Sequence, residues 1–262
     1  MDILSQIVAD TVETIKKRKQ TLSLNDLQAR AGASSHPHHS LKAKVAADPK
    51  PHIIAEFKRK SPSRPNINMN ADPVAVAQTY EAGGASAMSV LTEPDYFAGA
   101  PEDLQAVRRA VAMPLLRKDF VVDPYQLFEA KAWGADLVLL IARILEPAQL
   151  AELNAAAQEL GLETLCEVHN REELAVVGTT PVDFLGVNCR DLKKFSTNLD
   201  QLIDIVDDLP DHAVWVAESG IGGREDVARL EAVGYRAFLV GEHLMRNTDP
   251  GAEIGNLRGN PA

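Results

Sequence analysis

At 262 residues the chain has room for one large α/β barrel or two small domains, and 45% hydrophobic with 24% charged residues is the composition of an ordinary soluble enzyme. A formal net charge of −10 argues against a broad nucleic-acid or membrane-surface footprint, so an anionic ligand needs basic side chains gathered locally. Two cysteines, Cys166 and Cys189, fit a reducing compartment better than a disulfide scaffold; no run of about 18 apolar residues reads as a membrane span, and the N-terminus lacks a signal-peptide layout. The expectation is a cytoplasmic protein.

Residues 1–50 read as a helical extension. Ile3, Ile7, Thr11 and Ile15, four apart, give one weakly apolar face that ends in Lys16-Lys17-Arg18-Lys19. A basic run there predicts a solvated helix C-terminus favoured by the dipole. Ser23-Leu24-Asn25-Asp26 opens a second short helix as a capping box. His36-Pro37-His38-His39, flanked by Ser34, Ser35 and Ser40, reads as a loop, with no Cys or carboxylate at ligand spacing for a metal.

From residue 51 the pattern becomes regular. Short apolar runs recur at Ile53–Phe57, Ala87–Leu91, Leu115–Leu116, Leu137–Ile141, Thr164–Val168, Phe184–Val187, Val214–Ala217 and Ala237–Val240. Asp72-Pro73, Asp123-Pro124 and Asp249-Pro250 place an N-cap before a first-turn proline, and Asn170-Arg171-Glu172-Glu173 is a further capping signal. Gly83, Gly134, Gly161, Gly178 and Gly234 fall where helices should stop. Eight strand-plus-helix units close a parallel sheet into a (β/α)8 barrel over residues 51–262. An open doubly wound sheet would show a glycine-rich turn after its first strand. Here that turn is Lys58-Arg59-Lys60-Ser61-Pro62-Ser63, without glycine.

Active sites of such barrels lie at the C-terminal ends of the strands. Those ends carry Glu56, Lys58 and Ser61; Lys118; Glu167; Asn188 and Arg190; Glu218, Ser219 and Gly220; and Gly241 with Glu242. Side chains two apart on a strand share a face, so Glu56 points with Lys58, and Asn188 with Arg190. Polar strand ends are common for solvation, but acids, amines and an amide on five ends facing one mouth predict a site. Ser219-Gly220-Ile221-Gly222-Gly223 and Gly241 follow strands seven and eight, where this fold usually holds phosphate.

These residues also carry a resemblance. Glu56-Phe57-Lys58 with Ser61-Pro62-Ser63, Tyr80–Ala85, Ser89–Thr92, Leu116–Phe120, Glu167-Val168-His169, Gly186–Leu192 and Ala217–Ile221 resemble the indole-3-glycerol phosphate synthase family over residues 50–247. Two departures are Cys189 where the family has Asn, and a more basic Lys58-Arg59-Lys60. The resemblance implies ring closure, decarboxylation and dehydration of 1-(2-carboxyphenylamino)-1-deoxyribulose 5-phosphate, with no metal and no organic cofactor. It implies Lys118 as general acid, with Lys58 pairing with the substrate carboxylate or sharing acid duty. A lysine beside another ammonium is expected to release its proton near neutral pH. Glu167 is then the general base, Glu56 and Glu218 orient the lysines and sugar hydroxyls, and Asn188 and Arg190 position the substrate. Ser61, Gly220 and Gly241, with the amides near Ser219 and Glu242, hold the phosphate. Phe97, Phe120 and Leu139 line the aromatic pocket, Leu139 serving equally as core. The partner is a small phosphorylated substrate, with a monomer as the default state.

The nearest rival is another phosphate-binding barrel such as phosphoribosylanthranilate isomerase; the chain is too short for two fused barrels. A non-catalytic barrel binding a phosphate ligand would lack the strand-end acids and bases. The N-terminal helices read either as purely structural or as a lid.

Overall fold

The structure, a computed structural model, describes residues 2–34, 36–190 and 196–260. Three helices come first: α1 (Ile3–Thr21), α2 (Leu24–Gly32) and α3 (Leu41–Ala47). Each starts on a side-chain oxygen accepting from a backbone N–H three residues on, from Asp2, Ser23 and Ser40 respectively. There follow β1 (His52–Phe57), α4 (Pro73–Ala82), β2 (Ala87–Leu91), α5 (Pro101–Ala110), β3 (Leu115–Lys118), α6 (Tyr125–Trp133), β4 (Leu137–Ile141) and α7 (Pro147–Glu159). The second half runs β5 (Glu163–Val168), α8 (Arg171–Val177), β6 (Phe184–Asn188), α9 (Asp200–Asp204), β7 (Val214–Glu218), α10 (Arg224–Glu231), β8 (Ala237–Val240), α11 (Glu242–Arg246) and α12 (Pro250–Leu257). Asp72, Asn170 and Asp249 cap α4, α8 and α12 as expected. Pro124 is already helical in backbone (φ −54°, ψ −26°), so α6 differs from its predicted start by a single residue.

Each strand pairs in parallel with the next, and β8 returns to β1, closing the barrel. The strand period of two splits the side chains between two layers. One face of each strand packs outward against the helices, among them Ile53, Val90, Val138, Leu140, Leu185 and Phe238. The other fills the barrel interior with Ile54, Leu116, Leu137, Leu165, Phe184, Val216 and Leu239. Moving two residues along the inward face leads from Ile54 to Glu56, from Leu116 to Lys118, from Leu165 to Glu167 and from Val216 to Glu218. The face that makes the core thus ends in the ionisable groups. Register sets Leu91 beside Lys118, Ile141 beside Glu167, and Asn188 beside Glu218, so these ends sit at one level.

The N-terminal helices wrap the barrel from one end to the other. At the mouth, Ile3, Leu4 and Ile7 of α1 face the central cavity, and the Tyr96 hydroxyl donates to Asp10 at 2.6 Å. On the side, Leu27 of α2 packs with Ile15 and with Tyr125 of α6. At the opposite end, the Leu41 amide donates to Glu163 and the Lys42 ammonium to Asp183, both at strand starts, while Leu41 and Val45 close the interior. In the basic run at the end of α1, Lys16, Lys17 and Lys19 are exposed as expected and Arg18 is half-buried. Arg18 pairs with Glu129 of α6 at 3.3 Å, and Lys19 reaches Asp123, just before that helix, at 2.7 Å. His38 also meets carboxylates from elsewhere in the chain, its Nδ1 lying 3.4 Å from Asp136. No helix among the described residues is long and apolar enough to cross a membrane.

Candidate active site

A cavity of about 170 Å³ opens at the C-terminal mouth. Around it stand Glu56, Lys58, Lys118, Glu167, Asn188 and Glu218 from five strands or the residues just past them. Ser61, Arg190, Ser219 and Glu242 reach it from loops, and Phe97, Phe120 and Leu139 form an apolar wall. The rings of Phe97 and Phe120 are 6.0 Å apart.

Lys118 is the hub. Its Nζ donates to Glu167 Oε2 at 2.9 Å and to Glu218 Oε2 at 3.1 Å. Lys58 is hydrogen-bonded to Glu56, its strand-mate two residues back. Asn188 Nδ2 donates to the other oxygen of Glu167 at 3.3 Å, and its Oδ1 accepts the Arg190 amide at 3.0 Å. Two glycines make room for the carboxylates. A Cβ on Gly186 would lie 2.1 Å from Glu218 Oε1, and one on Gly241 would lie 2.4 Å from Glu56 Oε1. The Cβ side of Gly241 faces Glu56, between β8 and α11. Gly241→Ala should push Glu56 off Lys58, lowering turnover and costing about 1–3 kcal/mol of stability by overpacking. Steady-state rates and thermal melts check this; a fully active variant would contradict the crowding.

The electrostatics overturn one expectation. Burial alone would lower the Lys118 pKa, and a neighbouring ammonium would lower it further, but the carboxylates of Glu167, Glu218 and Glu56 outweigh both and raise it. Lys118 is firmly protonated at rest. Burial pushes Glu218 up, and with Glu167 beside it the group reaches about 8 in spite of Lys118. Burial also opposes ionisation of Glu167, but Lys118 and then His169 pull it down to about 2. Burial raises Glu56 too, and the two lysines more than reverse that, so its pKa is lowered. The site thus favours the charged forms of Lys118, Glu167 and Glu56 and the protonated form of Glu218.

Beside this cavity, sharing Arg190 and Glu242 with it, is an open recess of about 590 Å³. Its walls include Arg64, Arg190, Arg246, Thr197 and Gly220. The turn into it is left-handed at two successive residues, Ser219 (φ 68°) and Gly220 (φ 75°). Few non-glycine residues take that conformation, which marks the loop after β7 as a special turn. The Glu242 side chain pairs with Arg64 at 3.1 Å and Arg246 at 3.5 Å. Its carboxylate cannot itself hold an anion, and the two arginines it joins stand with Arg190 as cationic groups of the recess. Arg64 and Arg246 were missed because neither sits at a strand end.

Four further residues of the cavity wall escaped the sequence reading. His169 lies two beyond Glu167 on the inward face and lines the cavity; the period of two was the available signal. Ile3, Leu4 and Ile7 line it as well, which makes α1 part of the mouth. Cys189 turns away from the cavity: it is buried in the outer layer with its Sγ donating to the Ser219 carbonyl at 3.4 Å. Asp191 and Leu192 of the matching motif lie outside the described residues. Among those residues no three His, Cys, Asp or Glu side chains converge as a metal site.

Fold and site together define a (β/α)8 barrel of the enzyme type, with acids and amines gathered in one cavity at the strand C-termini. The profile of the indole-3-glycerol phosphate synthase family matches residues 4–257. Indole-3-glycerol phosphate synthase of Salinibacter ruber is 46% identical over 98% of this chain and 96% of its own length. That of Acidithiobacillus ferrooxidans is 43% identical over 98% of both. Among solved structures, 3-hexulose-6-phosphate synthase from Salmonella typhimurium superposes with a TM-score of 0.64 at 13% identity, over 79% of this chain and 97% of that one. That likeness concerns the fold alone. The chain belongs to the indole-3-glycerol phosphate synthase family.

Proposed function

We propose that this chain converts 1-(2-carboxyphenylamino)-1-deoxyribulose 5-phosphate to indole-3-glycerol phosphate, in the cytoplasm, with residues 1–50 serving the barrel as an extension that also forms part of the mouth. The observation that carries the reading is the Lys118 ammonium held between Glu167 and Glu218, in a cavity with an apolar wall on one side and an arginine-lined recess on another.

The anthranilate ring packs against Phe97, Phe120 and Leu139, and the phosphate enters the recess of Arg64, Arg190 and Arg246, with Ser61 and the turn at Ser219-Gly220 at its edge. Lys58, close to the apolar wall, pairs with the substrate carboxylate and draws the aromatic carbon toward the ketone. Lys118 protonates the developing alkoxide. Its raised pKa makes it a strong binder of that oxyanion, and proton transfer follows as the alkoxide forms. Carbon dioxide then leaves, its bonding electrons absorbed by the cationic ring-closed intermediate. In dehydration one carboxyl protonates the departing hydroxyl and an ionised carboxylate removes the ring C–H proton. Glu218, which keeps its proton up to about 8, suits the first task, and Glu167, held ionised, suits the second. Asn188 holds Glu167 in place, and Glu56 holds Lys58.

Addition of the substrate to the purified protein should produce the emission of a fluorescent indole product. Absence of that emission, or isomerisation of phosphoribosylanthranilate instead, would overturn the reading.

A further inference from the structure

His169 stands as a wall between two spaces. On one side it lines the catalytic cavity. On the other it borders an open cleft of about 730 Å³, together with Arg143, Glu172 and Glu173. Its Nδ1 lies 3.0 Å from Glu173 Oε2 on α8, and its Nε2 lies 3.5 Å from Glu167 Oε1. That Nε2 is buried and makes no hydrogen bond among the described residues. Glu173 is fixed in turn, accepting the His169 amide at 2.9 Å and lying 4.0 Å from the Arg143 guanidinium. The series Glu173–His169–Glu167–Lys118 therefore runs from the outer cleft to the proposed general acid, each member beside the next.

The proposed reaction has a proton deficit. Protonating the alkoxide takes one proton in, expelling the hydroxyl as water takes a second, and the ring C–H returns one. The substrate carboxylate leaves as neutral carbon dioxide, so each turnover consumes one proton from solvent. With substrate filling the cavity and Ile3, Leu4 and Ile7 of α1 along its wall, the proton needs a route in.

We propose that His169 is a positioning residue for proton entry, passing the proton consumed in each turnover from the outer cleft to Glu167 and so to Lys118; this rests on the reaction assigned above. After Lys118 has given its proton to the alkoxide, the Nε2–H of His169 protonates Glu167, which returns the proton to Lys118. The neutral ring that remains keeps its proton at Nδ1 against Glu173 and regains one at Nε2 when it turns that nitrogen from Glu167 to the cleft, so it ends the cycle as it began. The groups facing the imidazole are Glu167 on β5, Glu173 on α8, Glu218 on β7 at longer range, Arg143 in the turn after β4, and Arg190 across the cleft. Burial disfavours the imidazolium, but the hydrogen bond to Glu173 and the charge of Glu167 reverse this and raise the pKa above its ordinary value. A ring protonated for part of the time near neutrality is what a relay requires.

The test compares the full-length protein with His169→Asn and Glu173→Gln, following product emission from the first turnover onward. Each variant should give a burst of about one product per enzyme and then a steady rate lower by about tenfold or more, with KM within about twofold of the unsubstituted value. Imidazole added to the buffer should restore the steady rate of His169→Asn. Steady rates unchanged, or a loss with raised KM and no response to imidazole, would overturn the relay. If His169→Asn does not fold, Glu173→Gln carries the test on the burst and steady rate alone. The unsubstituted protein separates the two ideas: no emission from it sinks the reaction, whereas normal emission with fully active variants sinks only the relay.

Discussion

Lys118→Met is expected to lower kcat by two or more orders of magnitude, roughly what removal of a general acid costs, while substrate affinity changes little. The geometry gives the reason. The Lys118 Nζ donates to both Glu167 and Glu218, and Met keeps the bulk of the side chain but supplies no proton. Loss of the ammonium leaves two buried carboxylates facing each other. Because burial already pushes Glu218 up to about 8, the pair adapts by binding a proton firmly, and the fold survives. The same change removes the charge that kept Glu167 ionised, so the proposed base is lost along with the acid. A melting temperature within a few degrees of the unsubstituted protein, with product emission at the limit of detection, is the expected pair of results. Turnover close to normal would remove Lys118 from the mechanism.

Much of this site was legible because its two main devices are periodic. A strand's inward face is marked by alternation, so apolar runs ending in Glu56, Lys118, Glu167 and Glu218 announced both the barrel and its mouth. What alternation cannot express is the balance of charge among residues 49 and 100 positions apart. Lys58 was visible as a neighbour of Lys118, but the three carboxylates that outvote it arrive from β1, β5 and β7, and only closure of the sheet brings them together. The same limit applied to Gly241, whose lack of a side chain also makes room for Glu56 on the adjacent strand, a contact that no reading along the chain could show. The third apolar run stops at Leu116, yet the strand carries through Arg117 to its expected end at Lys118, since α6 supplies partners that let Arg117 be buried.

Those partners define the largest stability effect expected outside the cavity. Arg117 is fully buried on the outer face of β3. Its Nη2 donates to Asp119 at 2.9 Å and to Glu129 at 3.1 Å, its Nη1 to the Gln126 carbonyl at 2.6 Å, and its Nε to the Thr92 hydroxyl at 3.2 Å. The guanidinium also lies over the Trp133 ring, 4.3 Å from its centroid. Arg117→Met would leave Asp119 and Glu129 buried without their shared cation, and breaking such a pair from one side costs about 3–5 kcal/mol. For a chain of this size that is a fall in melting temperature on the order of 10 °C. Arg117→Lys should recover only part of it, because an ammonium cannot span both carboxylates in the plane of the fork. The pH dependence has a definite sign. Burial raises the Asp119 pKa, but Arg117 and then Thr92 overcome it, so the folded value lies below the ordinary 3.8. This contribution to stability is present above pH 3.8 and fades as pH falls through the lowered value. In Arg117→Met burial is less opposed and the Asp119 pKa rises, so the variant loses stability as pH climbs. The gap between the two melting curves should therefore be widest near pH 7 and narrow toward pH 4. Since Asp119 also accepts the Phe120 amide at 2.9 Å, and Lys118 lies between Arg117 and Asp119 in the chain, the acid end of β3 depends on this buried network for its placement. A melting temperature independent of the substitution would mean that the network carries no such load.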